Sequence, residues 1–209
     1  VNFKIVKNIF KIKKKNSLKF NFIQISTDQL YDLSSNNKTS FENEVKINNI
    51  YSQHKFQAEN IAKKNNSLIF RTNFFGNSIR DKKTFSYFVI NNFKKKNTFN
   101  LVKDVYFSPL SLNSLTFILS KIINSNKYQN IQGVYNLGSK YGISKFEFAK
   151  RLSKKLGIYN TNYDIKNINK IVDAKRSKNM KMNLTNFQKD FKLKLPKLSK
   201  EISKFKNLK

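Results

Sequence analysis

The amino-acid sequence predicts an α/β fold in which helices cover a parallel sheet. Segments with helical spacing, residues 2–15 and 50–64, alternate with short apolar segments at 20–25 and 67–72. The short segments are rich in β-branched and aromatic residues, and each is followed at once by polar residues. The order helix, strand, helix, strand is typical of a parallel sheet with covering helices.

Each of these two helices is predicted from an apolar stripe. In the first, Phe3, Val6 and Phe10 recur at intervals of three and four residues. In the second, Ala58 and Ala62 are four residues apart. Both helices therefore have one face that is suited to burial.

The rest of the sequence continues the alternation. Residues 28–48 are polar and aperiodic, which predicts a long loop. The other predicted elements are an amphipathic helix at 84–95, an extended segment at 105–107, a helix after Pro109, a strand at 133–137, a helix at 144–156, and two short helices on either side of Pro196.

The helix at 144–156 has start and stop signals of its own. Ser144 and Glu147 are predicted to form a capping box, in which the hydroxyl and the carboxylate each accept a hydrogen bond from a free amide. Gly157 is placed to end the helix.

The chain is strongly basic, with 42 Lys and Arg against 12 Asp and Glu in 209 residues and a formal net charge of +30. Only four of the basic residues are arginines, the residue that dedicated readers of phosphates and bases favour. The lysines are spread along the whole chain. We interpret the charge as compositional bias and predict no dedicated nucleic-acid binding.

The composition excludes several other classes of function. Because cysteine is absent, disulfides, thiolate metal sites and cysteine nucleophiles are excluded. The single histidine, His54, leaves no multi-histidine site, so no metal is predicted. No apolar run approaches the roughly 20 residues that span a bilayer, and no signal peptide is evident. These features predict a soluble, cytoplasmic protein without a membrane partner.

Polar residues stand at the ends of the first two predicted strands. The segment Ser26-Thr27-Asp28 follows the first strand, and Asn73 follows the second. Ligands of open parallel sheets bind outside the carboxyl ends of the strands, so these residues are expected to line one crevice. Tyr51 and Lys55 lie four residues apart on the intervening helix and can point into the same crevice.

The residue types in this crevice suit the reduction of a carbonyl group. A phenol has a pKa of about 10, and we expect the ammonium of Lys55 to lower the pKa of Tyr51. Tyr51 could then pass a proton to a carbonyl oxygen while a nicotinamide delivers hydride to the carbon. The Thr27 hydroxyl would hydrogen-bond the same oxygen, and Lys55 would hold the cofactor ribose.

The Tyr-x-x-x-Lys spacing occurs a second time, at Tyr141 and Lys145. Ser144 is the predicted N-cap of the helix that follows, so Tyr141 precedes that helix and the two side chains do not share a face. This copy also lacks a Ser-Thr-Asp segment upstream. The site is therefore predicted at the Tyr51 copy.

Taken in order, the motifs of the chain resemble an extended short-chain dehydrogenase/reductase, and most closely the dTDP-4-dehydrorhamnose reductase family. The motifs are Ser26-Thr-Asp-Gln-Leu-Tyr, Tyr51 with Lys55, Arg71-Thr-Asn-Phe-Phe-Gly, Asp104-Val-Tyr-Phe-Ser-Pro, Gly133-Val-Tyr-Asn-Leu-Gly, Ile143-Ser-Lys-Phe-Glu-Phe-Ala, Ala174-Lys-Arg-Ser-Lys-Asn and Leu195-Pro-Lys-Leu-Ser-Lys-Glu-Ile. The resemblance extends over nearly the whole chain.

The resemblance implies reduction of a nucleotide-linked 4-keto-6-deoxy sugar by NADPH or NADH. The implied catalytic residues are Thr27, Tyr51 and Lys55; the implied cofactor-binding residues are Ser26, Tyr51, Lys55 and Asn73; and the implied substrate-binding residues are Thr27, Asp28, Asn73, Phe74 and Arg176. Ser177 stands where the family has a proline after that arginine.

The resemblance also implies a Rossmann-like sheet with helices on both faces. Residues 1–76 are expected to be the later part of the cofactor-binding domain, and residues 77–209 mainly a small α/β substrate-binding domain, with segments near 101–140 returning to the sheet. The family's Gly-rich turn is missing, since the first glycine is Gly76. We therefore expect about 80 upstream residues, including N-terminal strands, to be lacking, and the chain alone to be inactive.

Alternative functions remain open from the sequence. The same scaffold serves nucleotide-sugar epimerases and dehydratases, and a non-catalytic module that binds a nucleotide sugar would keep the same motifs. A lysine-driven nucleic-acid binder is a third class. The sequence leaves open whether the chain forms a homodimer.

Overall fold

The computed structural model describes residues 2–31, 41–76, 84–96, 98–159, 162–171 and 177–205. The helices are α1 (Asn2–Lys15), α2 (Ile50–Lys64), α3 (Phe85–Lys95), α4 (Leu112–Ile123), α5 (Lys145–Lys155), α6 (Thr185–Phe191) and α7 (Leu198–Ser203). The strands are β1 (Ile23–Thr27), β2 (Leu68–Thr72), β3 (Phe74–Phe75), β4 (Phe99–Val102), β5 (Tyr106–Phe107), β6 (Leu110–Ser111), β7 (Gly133–Leu137), β8 (Ile143–Ser144), β9 (Tyr163–Lys166) and β10 (Asn179–Met180).

A three-stranded parallel sheet carries the candidate site. Its strand order is β1-β2-β7, and Thr27 on β1 is level with Thr72 on β2 and Leu137 on β7. The middle strand, β2, is buried along its whole length, as expected of a parallel strand with neighbours on both sides. Because β7 belongs to residues 77–209, the second half of the chain contributes a strand to this sheet.

Helices cover both faces of this sheet. Ile69 on β2 packs against Val6 of α1 and Ala58 of α2. The next residue, Phe70, points to the opposite face because side chains alternate along a strand. There its ring lies 5.7 Å from that of Phe191 on α6. The α/β fold class, with parallel strands and covering helices, is confirmed.

Phenylalanines form the core of the remaining part of the fold. The strands there make a mixed sheet, β10-β5-β8, and two parallel pairs, β3-β6 and β4-β9. Phe148 of α5 is fully buried and lies 4.9 Å from the ring of Phe75 and 5.3 Å from that of Phe107. Burial of each such ring contributes about 1.5–3 kcal/mol, so the packed rings hold these short strands together.

The first strand begins later than its apolar run predicts. Residues 20–25 are the predicted strand, but the ladder with β2 begins at the pair Ile23 and Leu68. Phe20 is bound instead to the end of α1, where Lys13 Nζ donates to its carbonyl oxygen at 2.8 Å. The segment between α1 and Ile23 therefore serves as a connection.

Only half of the predicted capping box is present at the start of α5. The Ser144 hydroxyl accepts a hydrogen bond from the Glu147 amide at 3.1 Å, as predicted. The prediction for the Glu147 carboxylate is wrong, because its Oε1 accepts from Arg151 Nε at 2.8 Å, one turn further along. The end of the helix agrees with the sequence, since Gly157 follows it with a positive φ of 69°.

The predicted loop at 28–48 begins with a 3₁₀ turn at Asp28–Leu30, and residues 32–40 lie outside the described residues.

The parallel pair of β4 and β9 was not predicted from the sequence. The pattern that could have indicated β4 is the two-residue spacing of Phe99 and Leu101, which are buried while the residue after each of them is more exposed. Both predicted helices beside Pro196 are present, as α6 and α7.

Candidate active site

Thr27 and Asp28 lie where β1 ends. Thr27 is the last residue of the strand and caps the following 3₁₀ turn, with its Oγ1 accepting from the Gln29 amide at 3.2 Å. Asp28 begins that turn and is only 1% exposed. The carboxyl end of β1 therefore presents a hydroxyl and a buried carboxyl group.

Tyr51 and Lys55 lie on the first turns of α2. The helix is capped by Asn49, whose Oδ1 accepts from the Ser52 amide at 2.9 Å, so the register of the helix is fixed close to Tyr51. Lys55 Nζ lies 6.0 Å from the centre of the Tyr51 ring and donates to the carbonyl oxygen of Ile25 at 3.1 Å. The two side chains share a helix face beside the end of β1.

The polar groups from the two strand ends meet. Asn73, which follows β2, donates from Nδ2 to Asp28 Oδ2 at 2.7 Å. Ser26 is buried, and its hydroxyl has no hydrogen-bond partner among the described residues. Phe74 is 46% exposed beside them on β3. The structure thus brings Thr27, Asp28 and Asn73 to one edge of the sheet.

Burial determines the state of the Asp28 carboxyl group. It raises the pKa of Asp28 to about 7, against the opposing effects of the Asn73 hydrogen bond and of the positive charge on Lys145. Close to neutral pH, Asp28 is therefore present both as the acid and as the carboxylate.

Burial also raises the pKa of Tyr51, and the nearby Asp28 adds to this effect. A hydrogen bond with the Thr27 side chain opposes it. The prediction that Lys55 lowers the pKa of Tyr51 is wrong in this structure, because the Lys55 ammonium is bound to the Ile25 carbonyl and lies beside the ring. Burial lowers the pKa of Lys55 itself, and Glu59 opposes that shift.

Lys145 is a residue near the site that the sequence reading missed. It begins α5, lies 5.1 Å from the centre of the Phe85 ring, and acts electrostatically on Asp28. The only indication of Lys145 in the sequence was the second Tyr-x-x-x-Lys spacing, which begins at Tyr141. Tyr141 precedes the helix, as predicted, and it is 72% exposed.

A buried hydrogen-bond network lies beneath the site. Arg71 on β2 binds both carboxylate oxygens of Glu59 on α2, with Nη2 to Oε2 at 2.6 Å. Arg71 Nη1 also donates to Tyr31 Oη at 3.2 Å, and Tyr31 in turn donates to Asn136 Oδ1 at 2.6 Å. These bonds link α2, which carries Tyr51, to the strands of the sheet.

Arg176 lies outside the described residues. Its neighbour Ser177 is buried and donates from its hydroxyl to the Gln29 carbonyl oxygen at 3.3 Å. Asn48 Nδ2 donates to the same hydroxyl at 3.3 Å. The chain just after position 176 therefore packs against the turn that follows Thr27.

Two cavities lie away from these residues. One, of about 370 Å³, is at the opposite edge of the sheet and includes Phe22 and Leu68. The other, of about 590 Å³, lies between Gly76, α4 and α7.

Among the described residues, no group of three or more His, Cys, Asp or Glu could hold a metal ion. None of the helices described above is long and apolar enough to cross a membrane.

A family model described as the RmlD substrate binding domain matches residues 1–208. No curated protein sequence gives a significant match to the chain.

Solved structures resemble the whole described fold. A dTDP-4-dehydrorhamnose reductase from Clostridium acetobutylicum has a TM-score of 0.84 and 20% identity, over 98% of this chain and 71% of that one. The enzyme of the same name from Bacillus anthracis, solved in complex with NADP, has a TM-score of 0.82 and 20% identity, over 98% and 70%. A UDP-glucuronic acid 4-epimerase from Bacillus cereus has a TM-score of 0.76 and 16% identity, over 96% and 64%. At these identities the likeness establishes the fold.

Proposed function

Because the chain belongs to the RmlD substrate binding domain family, we propose that it takes part in the NAD(P)H-dependent reduction of a nucleotide-linked 4-keto-6-deoxy sugar. The observation that carries this proposal is the position of Tyr51 and Lys55 beside the carboxyl end of β1, where Lys55 Nζ donates to the Ile25 carbonyl oxygen at 3.1 Å and Thr27 ends the strand. A phenol and a hydroxyl together can donate two hydrogen bonds to one carbonyl oxygen, which is where negative charge develops during reduction.

Tyr51 is the proposed proton donor. Because burial raises its pKa, the phenol is fully protonated at neutral pH and has a proton to give. Its 44% exposure leaves one side of the ring open to a substrate. Thr27 would hold the carbonyl oxygen in line with the phenol.

The residues present fit the nicotinamide end of a cofactor. The Lys55 ammonium lies beside Tyr51 on the same helix face, and the buried Ser26 hydroxyl has a hydrogen-bonding capacity that no described residue uses. These groups, with Asn73, would hold the ribose and the nicotinamide. When bound, the cofactor supplies the hydride. NADPH and NADH both fit, because they differ only at the ribose of the other nucleotide.

The proposed substrate side comprises Asp28, Asn73 and Phe74. Asn73 can hydrogen-bond a sugar hydroxyl, the buried Asp28 holds the Asn73 amide in place, and the exposed Phe74 ring offers an apolar surface. Arg176 is proposed to contact the diphosphate, and Ser177 next to it packs on the turn beside Thr27. Residues 1–76 would then mainly serve the cofactor, and residues 77–209 mainly the sugar nucleotide.

The proposal is tested in a protein that joins the chain to the Gly-rich cofactor-binding segment of a family member, with NADPH deuterated at the transferable position and a dTDP-4-keto-6-deoxy sugar. We expect deuterium at C4 of the product and net loss of NADPH absorbance. Tyr51→Phe should reduce the rate by about 10²–10⁴-fold, the usual contribution of a general acid. Tyr141→Phe is the matched control, since it removes the hydroxyl of the second tyrosine motif and should leave the rate unchanged.

Other results would favour the alternative functions. Epimerisation or dehydration would recycle the cofactor, so product would form without net loss of NADPH. A non-catalytic binding module would bind the sugar nucleotide in calorimetry and give no product with either cofactor. A rate that is the same for Tyr51→Phe and the unaltered chain would reject Tyr51 as the donor.

A further inference from the structure

We propose that Ser177 is a positioning residue, which holds Tyr51 in place relative to Thr27 for the proposed reduction. Its hydroxyl would do so by tying the residue before the cap of α2 to the turn that follows β1. The inference rests on the proposed function, because it takes Tyr51 and Thr27 as the groups that bind the carbonyl oxygen. Ser177 would act through other residues and would not itself touch the substrate, the cofactor or the reacting atoms.

The Ser177 hydroxyl bridges two segments that lie far from it in sequence. It donates to the carbonyl oxygen of Gln29 at 3.3 Å and accepts from Asn48 Nδ2, also at 3.3 Å. Gln29 lies in the 3₁₀ turn that begins at Asp28, and Asn48 lies just before the cap of α2. Ser177 is 5% exposed, so water has little access to either hydrogen bond. One buried oxygen atom therefore joins the two segments.

Asn48 leads directly to the start of α2 and to Tyr51. The next residue, Asn49, caps the helix: its Oδ1 accepts from the Ser52 amide at 2.9 Å and from the Ser52 hydroxyl at 2.8 Å. Tyr51 lies in this first turn, between the cap and Ser52. The amides of a first turn have no partners within the helix, so the placement of the turn depends on its cap. A shift of Asn48 would therefore carry Tyr51 with it.

Gln29, at the other end of the bridge, is bound to Thr27. The Thr27 Oγ1 accepts from the Gln29 amide at 3.2 Å, and Ser177 donates to the carbonyl oxygen of the same residue. Both polar groups of the Gln29 backbone are thus engaged, one by the hydroxyl proposed to bind the substrate and one by Ser177. The bridge therefore runs from the residue that orients the Thr27 hydroxyl to the residue that leads into the helix of Tyr51.

Ser177 is itself held by the second half of the chain. The carbonyl oxygen of the next residue, Lys178, accepts from the Tyr106 amide at 2.7 Å. Asn179 then begins β10, which pairs with β5. A hydrogen-bonded sheet therefore sets the position of the Ser177 hydroxyl. Through this contact, the half of the chain that is proposed mainly to serve the sugar nucleotide also fixes the two groups that would bind its carbonyl oxygen.

A second contact joins the same two segments, so loss of the bridge should leave the fold intact. The Lys46 amide donates to the carbonyl oxygen of Leu30 at 2.7 Å, and both are backbone groups that no side-chain substitution removes. Asn48 is closer than Lys46 to the start of α2. Ser177→Ala should therefore keep the segment on the turn while it releases the contact nearest to Tyr51.

The first test uses the chain without ligands and measures amide hydrogen exchange by NMR. In Ser177→Ala, the amides of Ser52 and Gln53 at the start of α2 should exchange about 3- to 10-fold faster, while the amides of α5 keep their rates. Ser153→Ala is the matched control, because its buried hydroxyl donates to the Lys150 carbonyl oxygen within α5. It should leave exchange at Ser52 and Gln53 unchanged. Unchanged exchange there in Ser177→Ala, or equal acceleration throughout the chain, would overturn the proposal.

The second test measures hydride transfer in the protein joined to the Gly-rich segment, by rapid mixing with NADPH and a dTDP-4-keto-6-deoxy sugar. In Ser177→Ala, the rate constant of the first turnover should fall about 10-fold, since a misplacement of about 1 Å can cost about 100-fold. Its amplitude should not change, whereas a loss of folded protein would lower the amplitude and spare the rate constant. Ser177→Thr keeps a hydroxyl and should restore the rate constant, and Ser153→Ala should not alter it.

A double substitution tests whether the effect passes through Asn48. Asn48→Ala removes the group that donates to the Ser177 hydroxyl. Adding Ser177→Ala to Asn48→Ala should therefore slow the first turnover no further than Asn48→Ala alone. If the two losses multiply, the route through Asn48 is wrong.

The outcomes separate this inference from the proposed function. If Tyr51→Phe abolishes hydride transfer but Ser177→Ala transfers hydride as fast as the unaltered joined protein, the positioning role is wrong and the function stands. If Tyr51→Phe has no effect on hydride transfer, the proposed function fails. The positioning role then fails with it, even where exchange at Ser52 and Gln53 is accelerated.

Discussion

Arg71 and Glu59 form a buried ion pair in which two guanidinium nitrogens bind both carboxylate oxygens. Each side chain is 3% exposed, and the shortest contact, Nη2 to Oε2, is 2.6 Å. Glu59 lies one turn after Lys55 on α2, and Arg71 lies near the end of β2. The pair therefore fixes the helix that carries Tyr51 to the strand that leads to Asn73.

Loss of one partner of this pair should strongly destabilise the fold. We expect Arg71→Met to lower the free energy of unfolding by about 3–5 kcal/mol, because it leaves the Glu59 charge buried and unpaired. Urea denaturation measures the change. Arg151→Met is the matched control, since its pair with Glu147 is exposed and should contribute only about 0.3–0.5 kcal/mol. If Arg71→Met and Arg151→Met lowered the free energy of unfolding by the same amount, the buried pair would contribute no more to stability than the exposed one.

The buried Asp28 should make stability depend on pH. Its pKa is about 7 in the folded chain against 3.8 for an aspartate surrounded by water, so between these pH values the folded state binds more protons than the unfolded state. The contribution of Asp28 to stability is thus complete below about pH 4 and is lost as the pH rises through 7.

Asp28→Asn removes this titration. The free energy of unfolding of Asp28→Asn, relative to the unaltered chain, should therefore increase from pH 4 to pH 8 by up to about 4 kcal/mol. Urea titrations across this range measure the difference. Asp164→Asn should show no such trend, and a flat difference for Asp28→Asn would mean that the carboxyl group is ionised throughout.

The two halves of the predicted capping box at α5 should differ in energy. Ser144→Ala removes the hydroxyl that accepts from the Glu147 amide and should cost about 1 kcal/mol. Glu147→Ala removes only the exposed pair with Arg151 and should cost no more than about 0.5 kcal/mol. Thermal unfolding of the two variants compares them. A cost for Glu147→Ala as large as that for Ser144→Ala would mean that the Glu147 carboxylate also caps the helix.

Two glycines should resist substitution for different reasons. A Cβ at Gly138 would lie 2.5 Å from Met182 Cε and 2.6 Å from the Ser108 carbonyl oxygen, so Gly138→Ala should cost about 1–3 kcal/mol through overpacking. Gly157 has open space around it but a φ of 69°, so Gly157→Ala should cost about 1–2 kcal/mol through backbone strain.

Asparagine distinguishes the two causes, because it tolerates the left-handed conformation better than alanine does. Gly157→Asn should therefore be more stable than Gly157→Ala, whereas Gly138→Asn should be less stable than Gly138→Ala. Denaturation midpoints of the four variants give the comparison. If the asparagine and alanine variants had the same order of stability at Gly138 and at Gly157, overpacking and backbone strain would not be separate causes at the two positions.

Local patterns in the sequence were enough to predict the elements that frame the site. The apolar spacing of α2 placed Tyr51 and Lys55 on one face, and the ends of two strands placed Thr27 near Asn73. Such features depend on residues a few positions apart, or on the shared direction of parallel strands. The sequence therefore carried them without knowledge of the packing.

The electrostatics of the site could not be predicted in the same way. Whether Lys55 changes the pKa of Tyr51 depends on where its ammonium is bound, and the Ile25 carbonyl that binds it is 30 residues away. The approach of Lys145 to Asp28 joins residues that are still further apart in sequence. Burial, the largest influence on both Asp28 and Tyr51, is a property of the assembled fold.

The register of the central sheet determines which changes in chain length the site can tolerate. Thr27 and Thr72 are paired across β1 and β2, and Asp28 meets Asn73 one residue later. Deleting one residue within β1 would rotate Thr27 to the other face of the strand and separate Asp28 from Asn73. Lengthening a connection, such as the one between α4 and β7, leaves this pairing intact. Across related sequences, insertions should therefore collect in the connections, while the spacing from Ile23 to Asp28 stays constant.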